Sequence, residues 1–174
     1  VREERERRAR EAALARAREA ARSAYISSQT TAAGSLPPGD YLFPVAGPTR
    51  FTDDWLAPRP GGRYHQGIDL FAARGTPIVA IADGTLYNVG YNGLGGWRLW
   101  LRDRGGNAFY FAHLSAFAPG AAEGAAVTRG TVIGFVGDSG DARGTPPHLH
   151  FEVHPGGAGP VPPYPLVSAW PQAG

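Results

Sequence analysis

The 174-residue sequence predicts a mainly β domain, an antiparallel sheet or open barrel, preceded by an N-terminal α-helix. Two observations predict the sheet. From Gly75 onward the chain is a series of short apolar or aromatic runs separated by turn signals, with no helical period among them. Glycine (25) and proline (16) are both abundant, as suits an all-β domain with many turns. A third observation predicts the helix: residues 1–24 are built almost wholly from Arg, Glu and Ala, all strong helix formers.

Within residues 1–24, Glu-to-Arg pairs at i,i+4, such as Glu3–Arg7, Glu4–Arg8 and Glu6–Arg10, support the helix locally. Leu14 is its only large apolar side chain, so no stripe exists that could form a broad buried face. The segment reads as a solvated helix; a helix that pairs with a partner, or the tail of a longer coiled coil, is the alternative. Residues 25–40 turn small and polar, with Gly34 and Pro37-Pro38-Gly39, and read as a linker. The domain is expected over 41–170, with 171–174 as a tail. Tyr41–Val45 reads as a first strand, at an edge because of Pro44. Residues 46–63 form a long Pro/Gly-rich loop, of the kind that often binds ligands. Thr76–Ala82, Thr85–Gly90, Trp97–Arg102, Ala108–Leu114 and Thr131–Gly137 follow as strands, with Asp83-Gly84, 92–96 and 104–107 between them as turns. The last strand is His148–His154, and about seven strands at this spacing describe a sandwich or open barrel.

Charge and composition exclude several function classes. Residues 1–24 hold eight Arg and five Glu, whereas the rest holds nine Arg against ten acids. The domain is therefore near neutral, which argues against a nucleic-acid binder. With no Cys, a zinc site would have to use His and carboxylates. No apolar run approaches the roughly 20 residues a membrane span needs. The chain starts at Val1 without a signal-like stretch and reads as a mature form or a piece of a longer chain, with any export signal upstream.

The last strand alternates strictly. His148, His150, Glu152 and His154 fall on one face and Leu149, Phe151 and Val153 on the other. Imidazoles at i and i+2 have Cα atoms roughly 6–7 Å apart, close enough to share one small object such as a metal ion. His65 and Asp69 would lie roughly 13 Å apart on a straight strand, but Gly67 between them lets the backbone bend. His113 ends an aromatic run in which Phe109, Phe111 and His113 share a face. Each feature alone has an ordinary structural explanation; together they place five polar side chains, His65, Asp69, His113, His148 and His150, as candidates for one site. Three ligands and an open position make a catalytic zinc, whose bound water has its pKa lowered to about 7. The remaining two groups could orient that water or stabilise the oxyanion. His154, beside Pro155 at the strand end, reads as exposed.

His65-x-x-x-Asp69, Phe111-Ala112-His113-Leu114 and His148-Leu149-His150-Phe151-Glu152-Val153 resemble the three signatures of the M23 metallopeptidases of LytM and lysostaphin type. The intervening stretches Gly67–Leu70, Gly75–Ala80, Asp83-Gly84 and Gly130–Gly134 match as well, so the similarity covers about 41–170. The resemblance implies a LytM-type β-rich fold with a groove walled by 46–63, 91–96, 115–125 and 138–147. It makes His65, Asp69 and His150 ligands of one zinc ion per chain, and His113 and His148 the catalytic pair. The substrate it implies is a peptide of bacterial cell-wall peptidoglycan, met in an extracellular, periplasmic or wall-associated setting. Relatives often carry Tyr where this chain has Phe111, which leaves Tyr110, expected on the other strand face, as the nearby phenol. The rival within the resemblance is a LytM-like activator of cell-wall amidases that has lost metal ligands, but all five positions are intact here. A biotinyl or lipoyl carrier would need an acceptor Lys, and the sequence has none. A phosphohistidine carrier leaves Asp69 unexplained.

Overall fold

The computed structural model describes residues 2–32 and 35–173, with 25–32 described by backbone alone. Residues 33 and 34 of the expected linker and residue 174 of the expected tail lie outside the described residues. The N-terminal helix, α1 (Arg2–Ala32), runs eight residues past the boundary expected at residue 24. No Gly or Pro interrupts the chain before Gly34, so nothing stops the helix earlier. Its side chains over residues 2–24 are exposed or nearly so, with Leu14 54% exposed, which matches a helix lacking an apolar stripe. Of the expected ion pairs Glu4–Arg8 forms at 2.6 Å, joined by Arg2–Glu6 at 3.2 Å. Among the described residues no helix is long and apolar enough to cross a membrane.

The domain is an unclosed, all-antiparallel sheet. In chain order its strands are β1 (Pro58–Arg59), β2 (Arg63–Tyr64), β3 (Ile68–Phe71), β4 (Pro77–Val79), β5 (Gly84–Asn92), β6 (Gly96–Asp103), β7 (Ala108–Phe117), β8 (Ala126–Val127), β9 (Val132–Val136) and β10 (His148–His154). The main sheet runs β3-β10-β7-β6-β5-β8; β9 branches from the far half of β7 and carries β4, while β1 and β2 pair apart from it. The alternation of β10 holds: Leu149, Phe151 and Val153 are fully buried and pack with Phe109 and Phe111 of β7, Leu99 of β6 and Ile68 of β3. Phe111 and Phe151 meet edge to face at 5.2 Å, the arrangement aromatic quadrupoles favour. That apolar layer leaves the opposite face of β3, β10 and β7 for the polar side chains.

The expected first strand differs. Tyr41–Val45 lies against the sheet but forms only one isolated bridge, Val45 to Ile78, because Pro44 cannot donate to a ladder. The C-terminal end of the expected domain packs back on its start, and Pro171 of the expected tail is tied to it. A short helix, α2 (Tyr164–Val167), buries Val167, Trp170 packs on Tyr41 at 5.3 Å, and the Phe43 amide donates to the Pro171 carbonyl.

Candidate metal centre

The register of the sheet builds the site. His150 of β10 pairs with Asp69 of β3 on one side and with Ala112 of β7 on the other. His65 precedes β3 and is tied by backbone hydrogen bonds to Leu56 and Ala57 of the preceding loop. The chain bends at Gly67 as expected, though without a left-handed φ. It also permits close approach: a Cβ there would overlap the Phe151 carbonyl oxygen and stand 2.9 Å from His150 Cε1.

Three donor atoms converge. His65 Nε2 lies 2.8 Å from His150 Nδ1 and 3.0 Å from Asp69 Oδ1, and His150 Nδ1 lies 3.2 Å from the same Oδ1. Tetrahedral bonds of roughly 2.0–2.1 Å to zinc would separate ligand atoms by roughly 3.3 Å, so this triangle has the size that one such ion spans. Two imidazole nitrogens and a carboxylate oxygen, with no thiolate, suit zinc or a similar borderline divalent ion.

Each donor is held from behind. His65 Nδ1 lies 3.0 Å from the Asp54 carbonyl oxygen and 3.2 Å from Asp54 Oδ2. Arg59 Nη2 donates to Asp69 Oδ2 at 2.5 Å, leaving Oδ1 for the triangle. His150 Nε2 meets Glu152 Oε1 at 2.8 Å, and the other oxygen of Glu152 meets His154 Nε2 at 2.7 Å. His154 is thus not the exposed residue expected but the far end of a partly buried His–Glu–His chain. Outer contacts of this kind fix ring orientation and tautomer at metal sites.

The protonation tendencies follow from these contacts. Burial pushes Asp69 up, but hydrogen bonds from His150 and His65 outweigh it and hold the carboxylate far below its ordinary range. Burial would lower His150, yet the hydrogen bonds to Asp69 and Glu152 hold it up at about 9. Burial likewise raises Glu152, but His150 and His154 bring it down to about 2. His65 is raised: burial opposes its charge, and Asp54 and Asp69 favour it more strongly.

His113 and His148 border the same space. Strict alternation would bury His113 beside Phe109 and Phe111. Instead the backbone turns left-handed at His113 (φ 66°), where the pairing of β7 passes from β10 to β9 and its register against β6 shifts. The ring is thereby delivered to the polar side. Its Nδ1 lies 2.8 Å from the Ser139 carbonyl oxygen, and its Nε2 stands 3.8 Å from Asp141. His148 Nδ1 lies 2.9 Å from the Pro146 carbonyl oxygen, while its Nε2 stands 3.9 Å from Asp69 Oδ1. The His113 and His148 rings meet edge-on at 5.0 Å. Burial, then the charges of His150 and His148, lower His113 to about 4, so it is neutral at pH 7. Ser139 is placed by backbone-to-backbone packing of Gly96 (φ 65°) against Gly140 (φ 72°), where a Cβ on either would clash.

All five candidates line one cleft with a volume of 740 Å³. Its walls come from Arg59 to Tyr64 on one side and from Leu94, Gly95, Asp141 and Thr145 on the other. The expected wall 115–125 does not border it, since Ala116 and Phe117 are occupied in pairing with β9. Tyr110 does line it, whereas Phe111 is fully buried in the core, so a hydroxyl at 111 would point away from the cleft. Asp54, Arg59 and Ser139, which sequence reasoning missed, make contacts to the candidate residues. Asp54 and Arg59 lie in a loop without periodicity, and Ser139 acts through its backbone carbonyl, which leaves no side-chain signature.

Known proteins resemble the chain in sequence and fold. The model of peptidase family M23 matches residues 63–163. The L-Ala–D-Glu endopeptidase of Bacillus subtilis (strain 168) is 36% identical over 149 residues, covering 79% of this chain and 46% of the relative. The DD-carboxypeptidase/endopeptidase Mpg of Neisseria meningitidis is 47% identical over 91 residues, covering 52% of this chain and 20% of the relative. The chain thus spans less than half the length of either. Among solved structures, the catalytic domain of the antimicrobial peptidase lysostaphin from Staphylococcus simulans superposes with a TM-score of 0.60 at 27% identity, covering 70% of this chain and 93% of that domain.

Proposed function

The chain belongs to peptidase family M23, and from that premise we propose that it is a zinc metalloendopeptidase hydrolysing peptide bonds in bacterial cell-wall peptidoglycan. The observation that carries the reading is the triangle of His65 Nε2, Asp69 Oδ1 and His150 Nδ1, with edges of 2.8–3.2 Å, beside two further imidazoles. In this reading those three atoms hold one zinc ion per chain. Zinc bound there supplies Lewis acidity and an acidified water.

The remaining chemistry belongs to the chain. His113 and His148 each donate Nδ1–H to a backbone carbonyl, which leaves Nε2 as an acceptor turned to the cleft. Because His113 is neutral at pH 7, its Nε2 accepts a hydrogen bond from the attacking water and orients it. On taking a proton, either imidazole becomes a donor to the developing oxyanion or to the leaving amine. Arg59 and Asp54 keep the ligands in place. The complete donor set weighs against a non-catalytic amidase activator. The relatives' names, an L-Ala–D-Glu endopeptidase and a DD-carboxypeptidase/endopeptidase, support a wall peptide as substrate and an extracellular, periplasmic or wall-associated site of action. The test is digestion of purified peptidoglycan with and without chelator, the released fragments being identified by mass. Loss of soluble fragments on chelation and their return with zinc is the expected result; digestion indifferent to chelator would refute the reading.

A further inference from the structure

Two arginines line the cleft, and their positions differ in kind. Arg59 is committed: Nη2 lies 2.5 Å from Asp69 Oδ2 and 3.6 Å from Asp54 Oδ2. Arg63, on β2, is anchored by its Nε, which donates to the Pro60 carbonyl at 3.2 Å. Its Nη2 reaches Asp141 Oδ2 at 3.3 Å, on the opposite wall, in the 3-10 turn Gly140–Ala142. Both side chains are 45% exposed, and the second oxygen of Asp141 is 3.8 Å from His113 Nε2. An ion pair therefore spans the cleft directly beside the reacting space.

Exposed pairs of this kind contribute little to stability, so the pair opens readily. A substrate carboxylate can replace Asp141 on the guanidinium with a stronger two-pronged contact, while Asp141 turns to water. An uncharged glycine chain offers nothing in exchange and leaves the pair across its path. We propose that Arg63 is a specificity-determining residue that takes the free carboxylate of the substrate residue flanking the scissile bond, so that the cleft selects acidic stem peptides over neutral glycine bridges. This deepens the peptidase reading and rests on it.

The test uses zinc-loaded protein and three probes: a stem peptide with its D-isoglutamyl α-carboxylate free, the same peptide with that group amidated, and pentaglycine. The wild type is expected to favour the acid over the amide by about 10–100-fold in kcat/KM, the range of one hydrogen-bonded charged contact, and to cut pentaglycine least. Arg63→Gln should bring the acid-to-amide ratio near one, and Arg63→Lys should restore part of it. Both peptides are read on the same enzyme, so loss of folded protein cancels from the ratio. Equal rates on acid and amide in the wild type, or a preference that survives Arg63→Gln, would overturn the proposal and leave the peptidase reading standing. Failure of the zinc-loaded wild type to cut any peptide or peptidoglycan would instead overturn that reading.

Discussion

Replacing Glu152 by alanine isolates the part played by residues behind the proposed metal ligands. His150 presents Nδ1 to the donor triangle, and its Nε2 is fixed 2.8 Å from Glu152 Oε1. Removing the carboxylate leaves a partly buried ring nitrogen without its partner and frees the ring to rotate Nδ1 away from Asp69. Losses of an outer partner typically weaken metal affinity 10–100-fold, about 1.4–2.7 kcal/mol. Glu152→Gln keeps a carbonyl acceptor in the same place and should recover part of that loss. The assay is competition for zinc against a chromophoric chelator, with far-ultraviolet circular dichroism showing that the variant is folded. Turnover at saturating zinc should be affected far less than affinity. A folded Glu152→Ala protein that binds zinc as tightly as the wild type would refute the role given to the His150–Glu152–His154 chain.

Other consequences follow from the same geometry. His150→Ala should lose bound zinc and activity together, whereas His113→Ala should retain zinc by elemental analysis and lose about 10²–10⁴-fold in turnover; zinc loss in His113→Ala would contradict the ligand assignment. In the metal-free protein His150 is protonated up to about pH 9, and a metal ligand must be neutral, so zinc uptake at pH 7.5 should release on the order of one proton, read by calorimetry in buffers of different ionisation enthalpy. Because that pKa is raised, the stability His150 contributes to the metal-free protein is fully present below about pH 6.5 and lost as pH rises through about 9. Its melting temperature should therefore fall across that window; a flat or rising profile would contradict the pairing with Asp69 and Glu152. Gly67→Ala forces a methyl against the Phe151 carbonyl, an overpacking worth about 1–3 kcal/mol, and should lower the melting temperature of the metal-free protein by roughly 2–12 °C. An unchanged melt would remove the close-approach argument.

The five-residue cluster was legible because its signals are local and chemical, whereas the choice of three donors among the five came from the family resemblance. His148-x-His150 follows strand alternation, and Asp69 falls opposite His150 once β3 pairs with β10. What alternation could not show is a break in itself. His113 reaches the cleft only because its backbone turns left-handed, an option that tertiary packing of 95–96 against 139–140 imposes and no neighbouring residue advertises. The bend at Gly67 was visible in the sequence, but the close approach of its backbone to the Phe151 carbonyl was not, since that depends on how β3 pairs with β10. Asp54, 11 residues before His65, carries no spacing signal, because loop geometry alone brings it back to Nδ1. His154 looked exposed because Pro155 follows it; the Ala158 carbonyl, which lies 2.7 Å from its Nδ1, and Glu152 enclose it instead. The helix ran long for a simpler reason: small polar residues weaken a helix without ending it, and the true breakers begin at Gly34.

Diffraction recorded at the zinc absorption edge from crystals of the zinc-loaded protein tests the central claim most directly. One anomalous peak is expected in the cleft, roughly 2.0–2.2 Å from His65 Nε2, Asp69 Oδ1 and His150 Nδ1 together. A peak elsewhere, or none between those three atoms in protein carrying one equivalent of zinc, would contradict it.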